Sequence, residues 1–194
     1  SEEWLEQQGS VGHYVPPFGA VILDEDLSEL PANTEGRLYF RDATGRGIVY
    51  PNDAAKTAAS NPEPGLFTLG EIGYIDDDGY VFITDRFSDM VVSGGVNVYP
   101  TQVEAVISAH PAVSMCAVVG VADAVLGEAV HAAVLPRPGE SLDATELRAF
   151  LEPRLQPAQL PQTIDIVTEL PLSPVGKVLR RVVREKSRQQ FESD

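Results

Sequence analysis

Met90-Val-Val-Ser-Gly-Gly-Val-Asn-Val-Tyr99, followed by Pro100, is the stretch on which the fold turns. Two short apolar runs flank Gly94-Gly95, and a glycine pair readily supplies the positive φ angles of a two-residue hairpin turn. Pro100 then opens a helix, where a missing N–H is harmless. Val103, Val106 and Ile107 follow at i, i+3 and i+4 spacing. Strand runs come next at Val113–Val121 and at about Ala129–Leu135. A second helix carries Leu147, Phe150 and Leu151 on one face, with Asp143 as its N-cap. Ile164–Val167 reads as a third strand, and a last helix turns Val178, Leu179, Val182 and Val183 inward. The order ββ-α-β-β-α-β-α predicts a compact α+β domain over 87–194, with a three-stranded sheet and helices.

Upstream of residue 86 the chain reads as mostly β. Ala20–Leu23, Gly36–Phe40, Gly47–Tyr50, Phe67–Leu69 and Ile72–Ile75 are strand-like runs separated by Asp, Pro, Gly and Asn. Asp76-Asp-Asp-Gly79 is a turn signal ahead of Tyr80–Thr84, which predicts a hairpin. Its aspartates lack the remaining spacing of a calcium loop, so a plain turn is the expectation.

The 194 residues carry a formal net charge of -15, which argues against a nucleic-acid partner. Residues 1–85 hold 16 acidic and 4 basic side chains, whereas residues 86–194 hold 13 and 10. Lys177, Arg180, Arg181, Arg184, Lys186 and Arg188 cluster near the end, either as a solvated helix face or as an anion-attracting patch. No apolar run is long enough to span a bilayer. The single cysteine, Cys116, lies in an apolar run and reads as a buried small hydrophobe. A reducing cytoplasm is the expected setting.

Candidate chemistry lies in four places. Pro171-Leu-Ser-Pro-Val-Gly-Lys177 sets a lysine on a Pro/Gly-bounded loop, from which it can reach a phosphate or carboxylate. Glu71, between Gly70 and Gly73, is either a carboxylate placed for the two hydroxyls of a ribose or a surface acid beside a turn. Asp85-Arg86 falls at the junction of the two parts, where Arg86 either serves phosphate and ribose oxygens or makes an interdomain ion pair. Ser93-Gly94-Gly95 is a hairpin turn by pattern, or a path along which a narrow ligand can pass. His13, His110 and His131 do not group, and no residue set has metal-ligand spacing.

Taken in order, Leu69-Gly-Glu-Ile-Gly73, Asp76-x-Asp-Gly-Tyr80, Asp85-Arg-x-x-Asp89, Ser93-Gly-Gly-x-Asn97 and Pro171-x-x-x-x-Gly-Lys177-x-x-Arg180 resemble the AMP-forming acyl-CoA synthetases of the adenylate-forming superfamily. The likeness is greatest to fatty-acyl-CoA ligases of the actinobacterial type. It implies a ligase that joins a carboxylic (fatty) acid to AMP from ATP with Mg2+, then exchanges AMP for the thiol of coenzyme A. By resemblance, Lys177 is the catalytic adenylation lysine, and Glu71, Asp85 and Arg86 are AMP/ATP-binding. Ser88 is the hinge, within 85–89, and Ser93, Gly94 and Gly95 line the coenzyme A channel.

The resemblance also implies that residues 1–86 are the last β subdomain, a piece of a distorted barrel, and 87–194 the mobile C-terminal domain. The phosphate loop, the magnesium motif and the acyl pocket would lie in an N-terminal part upstream, with Ser1–Glu6 resembling the segment just after that motif. Glu71 stands where the family has aspartate, Ser88 where it more often has Asp or Lys, and Gln159 and Gln162 where it often has basic residues. Two other readings remain open at this point. One is a non-catalytic or trans-complementing module that binds nucleotide or a partner chain. The other is an adenylation domain of the nonribosomal type.

Overall fold

The computed structural model describes Gln7 and residues 9–191, so the segment Ser1–Glu6 lies outside the described residues. The chain forms two compact units, divided between Ser88 and Asp89. No described helix is long and apolar enough to cross a membrane.

Among the described residues, the first unit is a six-stranded sheet of β1 (Ser10–Gly12), β2 (Phe18–Leu23), β3 (Gly36–Asp42), β4 (Leu66–Phe67), β5 (Glu71–Ile75) and β6 (Val81–Arg86). Its order is β1-β6-β5-β3-β2 with β4 beside β3, an open path and not a closed barrel. Strand alternation sorts the apolar residues onto two faces. Val21, Leu23, Tyr39 and Leu66 pack on one, and Ile22, Leu38 and Val81 on the other. The turn between β5 and β6 uses its first aspartate internally, since Asp76 Oδ1 accepts from the N–H groups of Asp78 and Tyr80 at 3.1 and 2.8 Å.

The run Gly47–Tyr50, expected as a strand, is irregular. Asn61 explains this. Its side chain accepts from Ile48 N–H at 2.9 Å and donates to Ile48 C=O at 2.8 Å, supplying both bonds that a neighbouring strand would have given. Asn61 follows α1 (Ala54–Ser60), a helix the apolar pattern did not announce. It is alanine-rich and is capped by Asp53, whose Oδ1 accepts from Lys56 N–H at 2.8 Å.

The second unit contains β7 (Val91–Ser93), β8 (Val96–Val98), α2 (Pro100–Ser108), β9 (Val113–Asp123), β10 (Gly127–Pro136), α3 (Ala144–Leu151), β11 (Thr163–Ile166) and α4 (Arg180–Phe191). Strands β9, β10 and β11 are the three expected, and the β7–β8 hairpin extends them to five through the pair Gly127–Ser93. One edge of β10 pairs antiparallel with β9 along its length. The other edge is shared by β7 and by β11, which runs parallel over His131–Val134.

Both faces of this sheet are covered. Val118, Val130, Ala132 and Val134 pack with Val103 and Ile107 of α2 and with Leu147 and Leu151 of α3. Ala117, Val119, Ala129 and Ala133 meet Leu170 and Val183 on the opposite face. Each Leu or Ile so buried stabilises the unit by about 1.5–3 kcal/mol. Asp143 caps α3 as expected, accepting from Glu146 N–H at 2.8 Å. The last helix starts later than the apolar pattern suggested. Leu179 precedes it and is 40% exposed, its N–H taken by Pro171 C=O at 2.8 Å.

Candidate functional site

Lys177 sits at the end of a hydrogen-bonded loop. Ser173 N–H donates to Lys177 C=O at 2.7 Å, and Gly176 N–H donates to Ser173 C=O at 2.9 Å. Lys177 N–H donates to Ser173 Oγ at 3.0 Å. Pro174 fits the turn by its fixed φ, and Gly176 supplies the left-handed residue at φ 81°. A Leu172–Val178 bridge closes the base. These bonds close the loop on itself while the lysine side chain stands in solvent.

Glu71 and Asp85-Arg86 are brought together in the first unit. Glu71 opens β5 directly opposite Arg86 in the β5–β6 ladder, and Ile72 is opposite Asp85. Arg86 is exposed, whereas Asp85 is buried and accepts from Arg86 N–H at 2.7 Å. One carboxylate oxygen of Glu71, Oε2, is buried with no hydrogen-bond partner among the described residues. An acceptor left so is costly unless something donates to it. The neighbouring glycines have separate reasons. A Cβ at Gly73 would fall 2.0 Å from Phe82 C=O, so that glycine answers to the adjacent strand and not to a ligand. Gly70, at φ 91°, turns its carbonyl to Phe87 N–H at 2.7 Å.

Ser93 is buried at the end of β7, and Gly94 and Gly95 form the hairpin turn with φ 58° and 82°. Two consecutive positive φ angles define the type I′ turn, so the glycine pair has a sufficient local cause. Gly94 N–H also donates to Leu126 C=O at 2.9 Å, while a side chain at Gly95 would meet open space. Ser88 is exposed in a short 3-10 turn, Phe87–Asp89. Among the described residues no group of three or more His, Cys, Asp or Glu is placed to hold a metal ion.

Residues 102–177 match the AMP-binding enzyme C-terminal domain. This stretch is an AMP-binding enzyme C-terminal domain, as the adenylate-forming enzymes carry. A fatty acid–[acyl-carrier-protein] ligase of Streptomyces coeruleorubidus is 36% identical over 177 residues, covering 91% of this chain and 34% of that protein. A 2-succinylbenzoate–CoA ligase of Geobacillus kaustophilus is 42% identical over 180 residues, 93% of this chain and 36% of that one. The ATP-bound crystal structure of MatB from Rhodopseudomonas palustris superposes with a TM-score of 0.83 at 33% identity, covering 94% of this chain and 36% of its own. The chain therefore spans about a third of the length of the relatives it matches.

Within this adenylate-forming C-terminal domain, the sequence pattern passed over one arrangement. Arg180 reaches both Glu104 and Asp89. A signal existed: Glu104 is a half-buried acid beside the core position Val103 on α2, and an acid there needs a cationic partner. Cys116 is held in its thiol form. Burial pushes its thiol up to about 11, with the Glu104 carboxylate adding to the rise.

Proposed function

We propose that this chain is the C-terminal part of an ATP-dependent acid–thiol ligase, which adenylates a carboxylic acid and passes the acyl group to coenzyme A. A fatty acid is the favoured substrate class. The observation that carries the reading is the Lys177 loop, a side chain offered to solvent from a turn closed by its own backbone bonds. An ammonium so presented can lie between an acyl carboxylate and the α-phosphate of ATP, two anions that repel each other. It would neutralise charge as it develops and hold both in line.

Glu71 supports ribose binding because its Oε2 has no donor among the described residues; a turn of this half-buried side chain would bring that acceptor out to a ribose hydroxyl. Arg86, opposite it in the ladder, would meet the ribose or a phosphate, with Asp85 fixing its backbone. In the second half-reaction the domain 87–194 would turn about a hinge within 85–89, at Ser88. The bare Gly94-Gly95 tip, flanked by Ser93, would then border the coenzyme A channel. The described residues do not fit a magnesium ion, and no step is assigned through one. The metal and the triphosphate would belong to the N-terminal domain that the relatives carry beyond the third matched here.

The test uses the complete ligase. Lys177→Ala should slow acyl-adenylate formation by about a hundredfold or more, the scale of losing one electrostatic donor at a developing charge. Thioester formation from preformed acyl-adenylate should be preserved. Equal losses in both half-reactions would refute the assignment. The 194-residue chain alone should release no pyrophosphate from ATP and a fatty acid, and release would refute its dependence on an N-terminal domain.

A further inference from the structure

Arg180 opens α4 three residues after Lys177 and spreads its guanidinium over two acids. Nε donates to Glu104 Oε1 at 3.1 Å and Nη2 to Glu104 Oε2 at 2.6 Å, while Nη1 donates to Asp89 Oδ2 at 3.1 Å. The three side chains are only 20%, 19% and 27% exposed, unlike the Arg181–Glu185 pair on the surface of the same helix, at 81% and 54%. Glu104 Oε1 also accepts from Val118 N–H at 2.9 Å, so the acid ties α2 to β9 as well. A planar fork that serves two carboxylates at once is geometry a lysine ammonium cannot reproduce.

The position of this clamp in the chain gives it a consequence. The bonds inside the Lys177 loop fix its shape, not its placement on the unit. Leu172 and Val175 are exposed, so apart from Val178 the loop has little apolar anchorage. Arg180 is the nearest charged anchor downstream. Asp89, at its other end, is the first residue of the second unit and directly follows Ser88. In the first unit, Phe87 is held by its N–H bond to Gly70 and by the Arg37 guanidinium, 3.3 Å from its ring centroid.

We infer that Arg180 is a positioning residue. It fixes the Lys177 loop to the point where the chain enters the second unit, so that movement at Ser88 carries the lysine as part of one rigid piece. The catalytic consequence rests on the reading of Lys177 above; the placement of the loop does not.

Two measurements test it. In the 194-residue chain, Arg180→Lys should raise hydrogen exchange at the Lys177 and Leu179 amides by about tenfold or more, with Val130 and Ala132 on β10 unchanged. Glu104→Gln, which keeps the shape and removes a charge, should give the same local pattern. A uniform rise across the unit, or no change at the loop, overturns the inference. In the complete ligase, adenylate formation should be slowed by Arg180→Lys alone, yet the double variant with Lys177→Ala should be no slower than Lys177→Ala. Losses that multiply would show that Arg180 does not act through Lys177 and overturn its catalytic consequence. If Lys177→Ala proves as fast as the unaltered enzyme, the adenylation reading falls, and the exchange result alone decides the placement role.

Discussion

His131 shows what burial does to one titratable group. It is almost fully enclosed on β10, with Nδ1 paired to Thr163 Oγ1 at 2.8 Å and Asp165 Oδ2 3.9 Å from Nε2. Burial holds its pKa below 6.5, and the Asp165 charge opposes that only in part. The unfolded chain therefore takes up this proton first as pH falls. The contribution is fully present above about pH 6.5 and is lost as pH descends toward the lower folded value. Urea midpoints measured from pH 7.5 to 5 should fall less steeply for His131→Gln than for the unaltered chain; parallel profiles would show that His131 does not contribute. Cys116 gives a second reading at this scale. With its thiol at about 11, alkylation at pH 8 should be about a hundredfold slower in the folded than in the unfolded chain. Comparable rates would mean that the thiol is not held in its buried site.

At the scale of elements, glycines separate two kinds of constraint. Gly95 is needed only for its φ of 82°, with open space around it, so Gly95→Ala should cost about 1–2 kcal/mol and Gly95→Asn less. Gly73 is needed for space, because a Cβ would sit 2.0 Å from Phe82 C=O. Gly73→Ala should cost more than about 3 kcal/mol, since backbone must move to admit it. Denaturation of the two variants side by side checks the order, and a Gly95 cost equal to that of Gly73 would refute it. The hairpin, the Asp143 cap and the helix stripe at Val103–Ile107 were legible because each is a local signal whose cause lies within a few residues. Gly47–Tyr50 was misread because its partner is the Asn61 side chain, beyond an alanine-rich helix that carries no apolar stripe. The same limit applied to the candidate site. Motif spacing picked out Lys177, Glu71 and Arg86, but the Glu104–Arg180 pair spans 76 residues and announces itself only as an acid beside a core position.

At the scale of the whole molecule, the division after Ser88 bears on folding, and through folding on the proposed rotation. Among the described residues, the two core clusters of the second unit are drawn from residues between Val91 and Val183, and its five strands pair only with one another. Its first residue, Asp89, carries an ion pair to Arg180 that a cut between 88 and 89 leaves intact. Among the described residues, the 13 buried members of the larger cluster supply the apolar burial that a domain of this size needs, on a sheet covered by α2 and α3 on one face. A piece comprising residues 89–194 should therefore fold by itself, with a single cooperative urea transition and dispersed amide resonances. It should also show the loss of stability below about pH 6.5 expected from His131, because Thr163 and Asp165 go with it. The first unit divides its burial between two smaller clusters, so Gly73→Ala should disrupt that unit in the intact chain while leaving the amide exchange of β9 and β10 unchanged. A piece 89–194 lacking a cooperative transition, or β10 amides that open together with the first unit, would show that the second unit depends on the first for its fold. The proposed rotation of a preformed body about Ser88 would then lose its physical basis.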